Sequence, residues 1–300
     1  MSDVRLGSTG TRRLQADLSL LLVAIIWGSA FVAQRVGMEQ VGPFAFNATR
    51  FGVGSLTLIP ILGWKRLRSG LWDELRSGVL LGMLLFAAAA LQQVGLIWTT
   101  ASKAGFITGL YVAIVPLLLA LGWGQWTGWG GWLGAGLGTV GLFLLSVEEG
   151  FRLAPGDAWV AGSALMWAVH VIAIGQLAPR RDPLRLAFLQ YLVCSLLSFL
   201  AAVVLEAGNW ARLFLIAPAV LYAGVLSIGL GYTAQVFAQR RTTPAHAAII
   251  LSTEAVFAAL SGWIVLNEAL SPRQLAGCGL MLMGMLLAQL PQAARVRPDK

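Results

Sequence analysis

One carboxylate, Glu254, stands inside an otherwise apolar run, LSTEAVFAALSGWIVL, eight residues beyond His246. At a rise of ~1.5 Å per residue that is ~12 Å along a helix, close to the middle of a bilayer. An ionisable group at that depth costs at least ~2.5–3.5 kcal/mol on insertion scales, so it persists where it faces a cavity or a partner. There it can take up a proton during a cycle or pair with a substrate ammonium. The structural alternative is a neutral acid hydrogen-bonded to Thr253 or to a neighbouring helix. Arg50 lies in a second apolar run, about two turns from its end. Its forked guanidinium suits a substrate carboxylate, or else a structural ion pair or a snorkelling chain.

Uncharged candidates accompany these two. Trp27 in AIIWGSAFVA and Trp167 in ALMWAVHVIA fall mid-run, away from the interfaces where tryptophan concentrates. They suit the walls of an apolar cavity that stacks on an aromatic or cationic substrate, or plain helix packing beside Gly28 and Ser29. His170 could relay protons, or be a neutral, satisfied core histidine. Gln92 and Gln93 are adjacent and point about 100° apart on a helix, so at most one of them faces a cavity; Gln93 is the candidate. Tyr111 is a candidate hydrogen-bond donor to substrate. Lys103 and Glu268 read as interfacial. The two histidines are 76 residues apart, and no HExxH, G-x-S-x-G or GxxxxGK[ST] pattern occurs. No catalytic residue, metal site or cofactor is therefore expected.

The elements that must position these groups are apolar runs of about 20 residues, each long enough to cross a bilayer as a helix. Ten are expected: about 16–36, 44–64, 77–98, 101–123, 128–147, 158–177, 184–206, 214–238, and two more within Thr242–Gln289 that start at the Thr243-Pro244 and Ser271-Pro272 caps. A register shift of 143 lays Thr99–Ser146 over Thr242–Gln289 without a gap, matching Thr99 with Thr242, Gly134 with Gly277, Gly141 with Gly284, and Tyr111 with Glu254, while a shift of 140 lays Trp27 over Trp167.

The chain thus reads as an internal duplication. Its expected parts are a polar, non-helical cytoplasmic leader (1–15), a first five-helix repeat (16–147), an outer linker (148–157), a second five-helix repeat (158–290) and a cytoplasmic tail (291–300). Five spans per repeat is an odd number, so the second repeat enters the membrane from the opposite face and the repeats are inverted. With the N-terminus inside, fifteen of the 21 basic residues fall on inner segments and five at outer ends. That bias puts both termini in the cytoplasm. The expected fold is an all-α polytopic membrane protein.

Composition agrees. Hydrophobic residues make up 58% and charged residues 11%, with a mean hydropathy of +0.77, against ~45–50% and ~25% in soluble domains. The net charge of +8 lies in short clusters between apolar runs, which fits topology signals and not a nucleic-acid face. Cys194 and Cys278 read as small buried hydrophobes.

The string LQQVGLIWTTASKAGFITGLYVAIVPLL, together with LSTEAVFAALSGWIVLNEALSPRQLAGCGLML, resembles the ten-span EamA-type permeases of the drug/metabolite transporter superfamily over nearly the whole chain. The resemblance implies a carrier of small metabolites or drugs in a bacterial inner membrane, often an exporter, with inverted five-helix repeats around a central cavity. Its expected partners are the bilayer, a small-molecule substrate such as an amino acid, and protons as the candidate coupling ion. Where such proteins often read Glu-Pro, this chain has Glu254-Ala255, so a proline-softened helix is not expected there. An integral-membrane receptor and a lipid-modifying enzyme stay open as alternatives.

Overall fold

The structure, a computed structural model, describes residues 3–38, 40–68, 71–99, 101–146, 154–206, 210–266 and 271–288. Its regular elements are all helical among these residues. They are α1 (Asp3–Met38), α2 (Pro43–Arg68), α3 (Leu71–Gly95), α4 (Ala101–Gly109), α5 (Tyr111–Trp123), α6 (Gly128–Ser146), α7 (Pro155–Leu177), α8 (Pro183–Leu205), α9 (Ala217–Leu221), a π-helical stretch Tyr222–Tyr232, α10 (Thr233–Gln239), α11 (Pro244–Ser252), α12 (Glu254–Leu266) and α13 (Pro272–Ala288), with short 3₁₀ turns before α8 and α9. Glu268, Thr100, linker residues 147–153, the tail 291–300 and the side chain of Lys103 lie outside the described residues.

Eight segments among the described residues are long and apolar enough to cross a membrane. They match eight of the ten expected spans. The second expected span is α2, which contains Pro60 and is interrupted by Gly63 at φ 67°, ψ 149°, a backbone position that side chains with a Cβ rarely adopt. The tenth is α13, 17 residues as described, or ~25 Å of helix.

Two expectations need correction. The leader is not irregular: α1 runs from Asp3. No proline interrupts the chain between Asp3 and Met38, and adding a residue to an existing helix is far easier than nucleating one. The eighth span is not a plain α-helix either, because residues 222–232 wind as a π-helix. That wider coil carries Gly224 and Gly229 against α2, where a Cβ on Gly224 would come within 3.0 Å of the Arg50 carbonyl and one on Gly229 within 2.5 Å of Thr57 Oγ1.

Backbone approach at glycine sets the helix crossings. A Cβ on Gly134 would meet the carbonyl of Gly284 at 2.8 Å, and one on Gly141 would meet that of Gly277 at 2.6 Å. Ascending numbers on α6 thus oppose descending numbers on α13, so the two helices run antiparallel. Helices α2 and α8 are antiparallel as well: Gly42 lies against Glu206, and Ser195 Oγ donates to the Ala48 carbonyl at 2.7 Å.

Carboxylates fasten the ends of this second pair. Glu206 accepts from the backbone N–H of Phe44 at 2.7 Å and of Ala45 at 2.9 Å, at the start of α2. Glu74 accepts from Asp182 N at 3.1 Å, at the start of α8. Each satisfies N–H groups that a helix leaves without an internal partner. Facing outward are large apolar side chains such as Leu200, Val204 and Leu205, 58–79% exposed with Val203 beside them, a surface suited to lipid and not to water.

Candidate functional site

The fourth and ninth of the expected spans are each broken once, and the breaks fall at the same place. Helix α4 ends before Leu110 and α5 begins at Tyr111; α11 ends before Thr253 and α12 begins at Glu254. Leu110 and Thr253 are separated by the same 143 residues that relate Tyr111 to Glu254. Both turns tighten to an i to i+3 bond, Leu110 N to Ile107 O at 3.3 Å and Thr253 N to Ile250 O at 3.1 Å. The break in the ninth expected span therefore exists without a proline. Thr253 instead turns its hydroxyl back onto the Ile250 carbonyl at 2.6 Å, and such back-bonding loosens a helix. Glu254 lies in the first turn of α12, where the helix dipole favours negative charge.

Both half-helix starts open on one cavity. Five of the expected site residues line it: Trp27, Arg50, Tyr111, Trp167 and Glu254. They come from five different spans, so no local pattern could have shown that they meet. The cavity has a volume of about 50 Å³, room for roughly four waters at ~10–15 Å³ each. Gly28 lets α1 reach the site, since a Cβ there would lie 2.5 Å from the Glu254 carbonyl.

The aromatic wall is built around a residue not singled out in the sequence, Tyr232. Its ring centroid is 4.3 Å from that of Trp27 and 6.0 Å from that of Trp167, the latter pair stacked with planes 24° apart. Phe51, Tyr191 and His170 surround it at 6.2, 6.3 and 6.4 Å. Trp27 is held in turn by its indole N–H, which donates to the Ser227 carbonyl at 3.1 Å.

Arg50 is 4% exposed. Its Nε donates to Asn47 Oδ1 at 2.9 Å, and its guanidinium carbon sits 5.0 Å from the ring centre of Phe51 and 5.5 Å from that of Phe46. Stacking and one hydrogen bond thus aim the fork. No carboxylate pairs with it among the described residues.

Several neutral polar atoms on the cavity wall also lack protein partners: the Tyr111 hydroxyl, Trp167 Nε1 and Gln235 Oε1. Each buried, unsatisfied group of this kind costs ~1–3 kcal/mol.

One expectation about facing is corrected. Gln92, not Gln93, lines the cavity, and its Nε2 donates to Thr108 Oγ1 at 3.1 Å. Gln93 donates instead to Gln34 Oε1 at 3.3 Å, supporting a wall residue from behind. The 100° between them decided which was which, and only the rotation of α3 in the bundle sets that. His170 is fully buried outside the lining, with Nε2 2.9 Å from Gln190 Oε1 and its ring edge-on to Trp167.

The sequence reading also missed Gln34, Thr108, Ser227 and Gln235 on the wall. Gln34 and Gln235 stand in apolar runs, a signal of the kind that pointed to Glu254. Cys194 and Cys278 are buried and free. Among the described residues no three His, Cys, Asp or Glu side chains gather as a metal site would need.

Comparison with known proteins agrees with this architecture. A family model described as the EamA-like transporter family matches twice, over residues 14–147 and 154–290. A protein of Archaeoglobus fulgidus named as an uncharacterized transporter is 34% identical over 289 residues, 95% of this chain and 89% of the relative. A protein of Streptantibioticus cattleyicolor named as a probable terminal-alkyne amino-acid exporter is 26% identical over 281 residues, 91% of this chain and 93% of the relative. A solved crystal structure superposes with a TM-score of 0.79 over 92% of this chain and 96% of its own, at 22% identity, a likeness of fold.

Proposed function

The chain belongs to the EamA-like transporter family and is a multi-pass membrane transporter; from that premise we propose that it carries small zwitterionic metabolites of the amino-acid kind by alternating access, as an exporter in a bacterial inner membrane. The observation that carries this reading is the cavity itself. A carboxylate and a guanidinium from different spans face one small space, neither with a charged protein partner among the described residues, beside unsatisfied neutral donors and acceptors. Arg50 takes the substrate carboxylate through its fork. Glu254 takes the ammonium, and Tyr111, Gln92 and Gln235 complete the hydrogen bonds. Trp27, Tyr232 and Trp167 lie against the substrate's apolar part. The small volume favours a substrate of a few heavy atoms over a bulky drug in this conformation. The relative named as a probable amino-acid exporter supports the same class.

The cycle follows from the layout. Ten spans, with α2 and α13 counted beside the eight long apolar segments, form two inverted repeats, 16–147 and 158–290, with both termini cytoplasmic. The antiparallel crossing of α6 and α13, whose four glycines are related by the same register of 143, supports the inversion. So do the matched breaks before Tyr111 and Glu254, since half-helix ends at the membrane midplane are where such carriers bind substrate. Glu254 exchanges a proton for the substrate ammonium, which couples flux to the proton gradient. His170, touching both Trp167 and Tyr232 from outside the cavity, positions the aromatic wall.

The deciding experiment measures uptake and efflux of a labelled amino-acid mixture in proteoliposomes, with and without an imposed pH gradient, for the parent and for Glu254→Gln. Gradient-driven flux in the parent that the variant lacks is the expected result. Full gradient-driven flux in the variant would make Glu254 structural, and no flux of any solute by the parent would move the reading to a membrane receptor.

A further inference from the structure

Outside the cavity, two buried carboxylates occupy matched places in the two halves of the chain. Asp17 in α1 is 8% exposed, and its Oδ1 lies 2.9 Å from Nε2 of His246, 5% exposed, in the first turn of α11. Asp157, in the first turn of α7 and 4% exposed, accepts from the hydroxyl of Thr99, just ahead of α4, at 2.5 Å and from Ala154 N at 2.7 Å. The two registers that overlay the halves relate the two carboxylates and the helix starts they hold, though the partner residues themselves differ. The shift of 140 carries Asp17 to Asp157, and the shift of 143 carries Thr99 to Thr242 and Lys103 to His246. Each carboxylate therefore ties the first span of one half to the start of the fourth span of the other.

We propose that these ties are the two latches of the transport cycle: Asp17–His246 closes the cytoplasmic end of the cavity, Asp157–Thr99 closes the outer end, and one opens at a time. The inference rests on the alternating-access reading above. A carrier needs a closure at each face, and a device required once per face is expected in duplicate. Hydrogen bonds to a buried carboxylate are strong and directional, so making or breaking one separates two discrete arrangements of helices that otherwise slide on apolar and glycine surfaces. Both ties are formed here.

The test reads conformation without needing flux. Ser227, on the cavity wall, becomes the single reporter in Ser227→Cys, with Cys194 and Cys278 replaced by alanine. Its labelling by a membrane-impermeant maleimide is timed in right-side-out and inside-out vesicles. His246→Phe should raise labelling from the cytoplasmic side about tenfold and lower it from outside, and Thr99→Val should do the reverse, since each removes one charge-assisted bond. The exchange of Asp17→His with His246→Asp should bring cytoplasmic labelling back toward the parent. Unchanged two-sided ratios, or both variants shifting the ratio the same way, would overturn the latches. If His246→Phe does not fold, Asp17→Ala replaces it, with the same outcomes. Intact labelling shifts in a protein that moves no solute would instead count against the transport reading.

Discussion

Tyr111 and Glu254 each begin the helical segment that follows the break in its span, and both line one cavity although 143 residues separate them. The duplicated position has diverged in chemistry, a phenol on one side and a carboxylate on the other. One offers a hydroxyl without a protein partner; the other can carry charge. The two should therefore fail differently when altered.

Glu254→Gln keeps the shape and removes the titratable group. We expect exchange of substrate across proteoliposome membranes to survive at reduced rate while accumulation driven by a pH gradient disappears. Tyr111→Phe removes one neutral donor worth ~0.5–1.5 kcal/mol, so KM should rise about two- to tenfold with gradient coupling intact. Loss of coupling in Tyr111→Phe would reverse these assignments.

Arg50 is aimed by Asn47 and by the rings of Phe46 and Phe51, and a lysine cannot reproduce a flat, stacked fork. Arg50→Lys should raise KM for a carboxylate-bearing substrate by at least about tenfold, given ~1.5–3 kcal/mol for a charged hydrogen bond. Competition by the corresponding amine, which lacks the carboxylate, should be the same in parent and variant. Equal losses for both ligands would mean that Arg50 holds the fold and not the substrate.

Tyr232 touches Trp27, Trp167, Phe51, Tyr191 and His170. Tyr232→Phe should leave thermal unfolding in detergent nearly unchanged. Tyr232→Ala should cost ~3–5 kcal/mol, as other aromatic truncations in packed cores do, and should widen the range of substrates toward bulkier side chains. A narrow range that survives the truncation would place the size limit elsewhere in the wall.

Gly141 and Gly136 lie on the same helix with opposite surroundings. A Cβ on Gly141 would meet a backbone carbonyl of α13 at 2.6 Å, whereas one on Gly136 has nothing within 4 Å. Gly141→Leu should therefore abolish a monodisperse, folded product on gel filtration, and Gly136→Leu should purify like the parent. Similar behaviour of the two would show that the α6–α13 crossing is not limited by backbone approach.

Some of this was already determined by the sequence alone. Hydrophobic runs of bilayer length, the register that lays Tyr111 over Glu254, and single polar residues in apolar surroundings depend only on spacing and on the cost of polar groups in hydrocarbon, so class, duplication and five cavity residues were legible. Other features depended on how helices rotate and cross, which no local pattern carries. The structure alone decided that Gln92 and not Gln93 faces the cavity, that Tyr232 is the hub between two equivalent tryptophans, and that the eighth span winds as a π-helix. It also decided that the ninth span breaks at Thr253 without a proline, because a side-chain bond to the Ile250 carbonyl can loosen a helix that composition reads as continuous. The tie between Asp17 and His246 spans 229 residues, and only tertiary packing could bring that carboxylate and imidazole together.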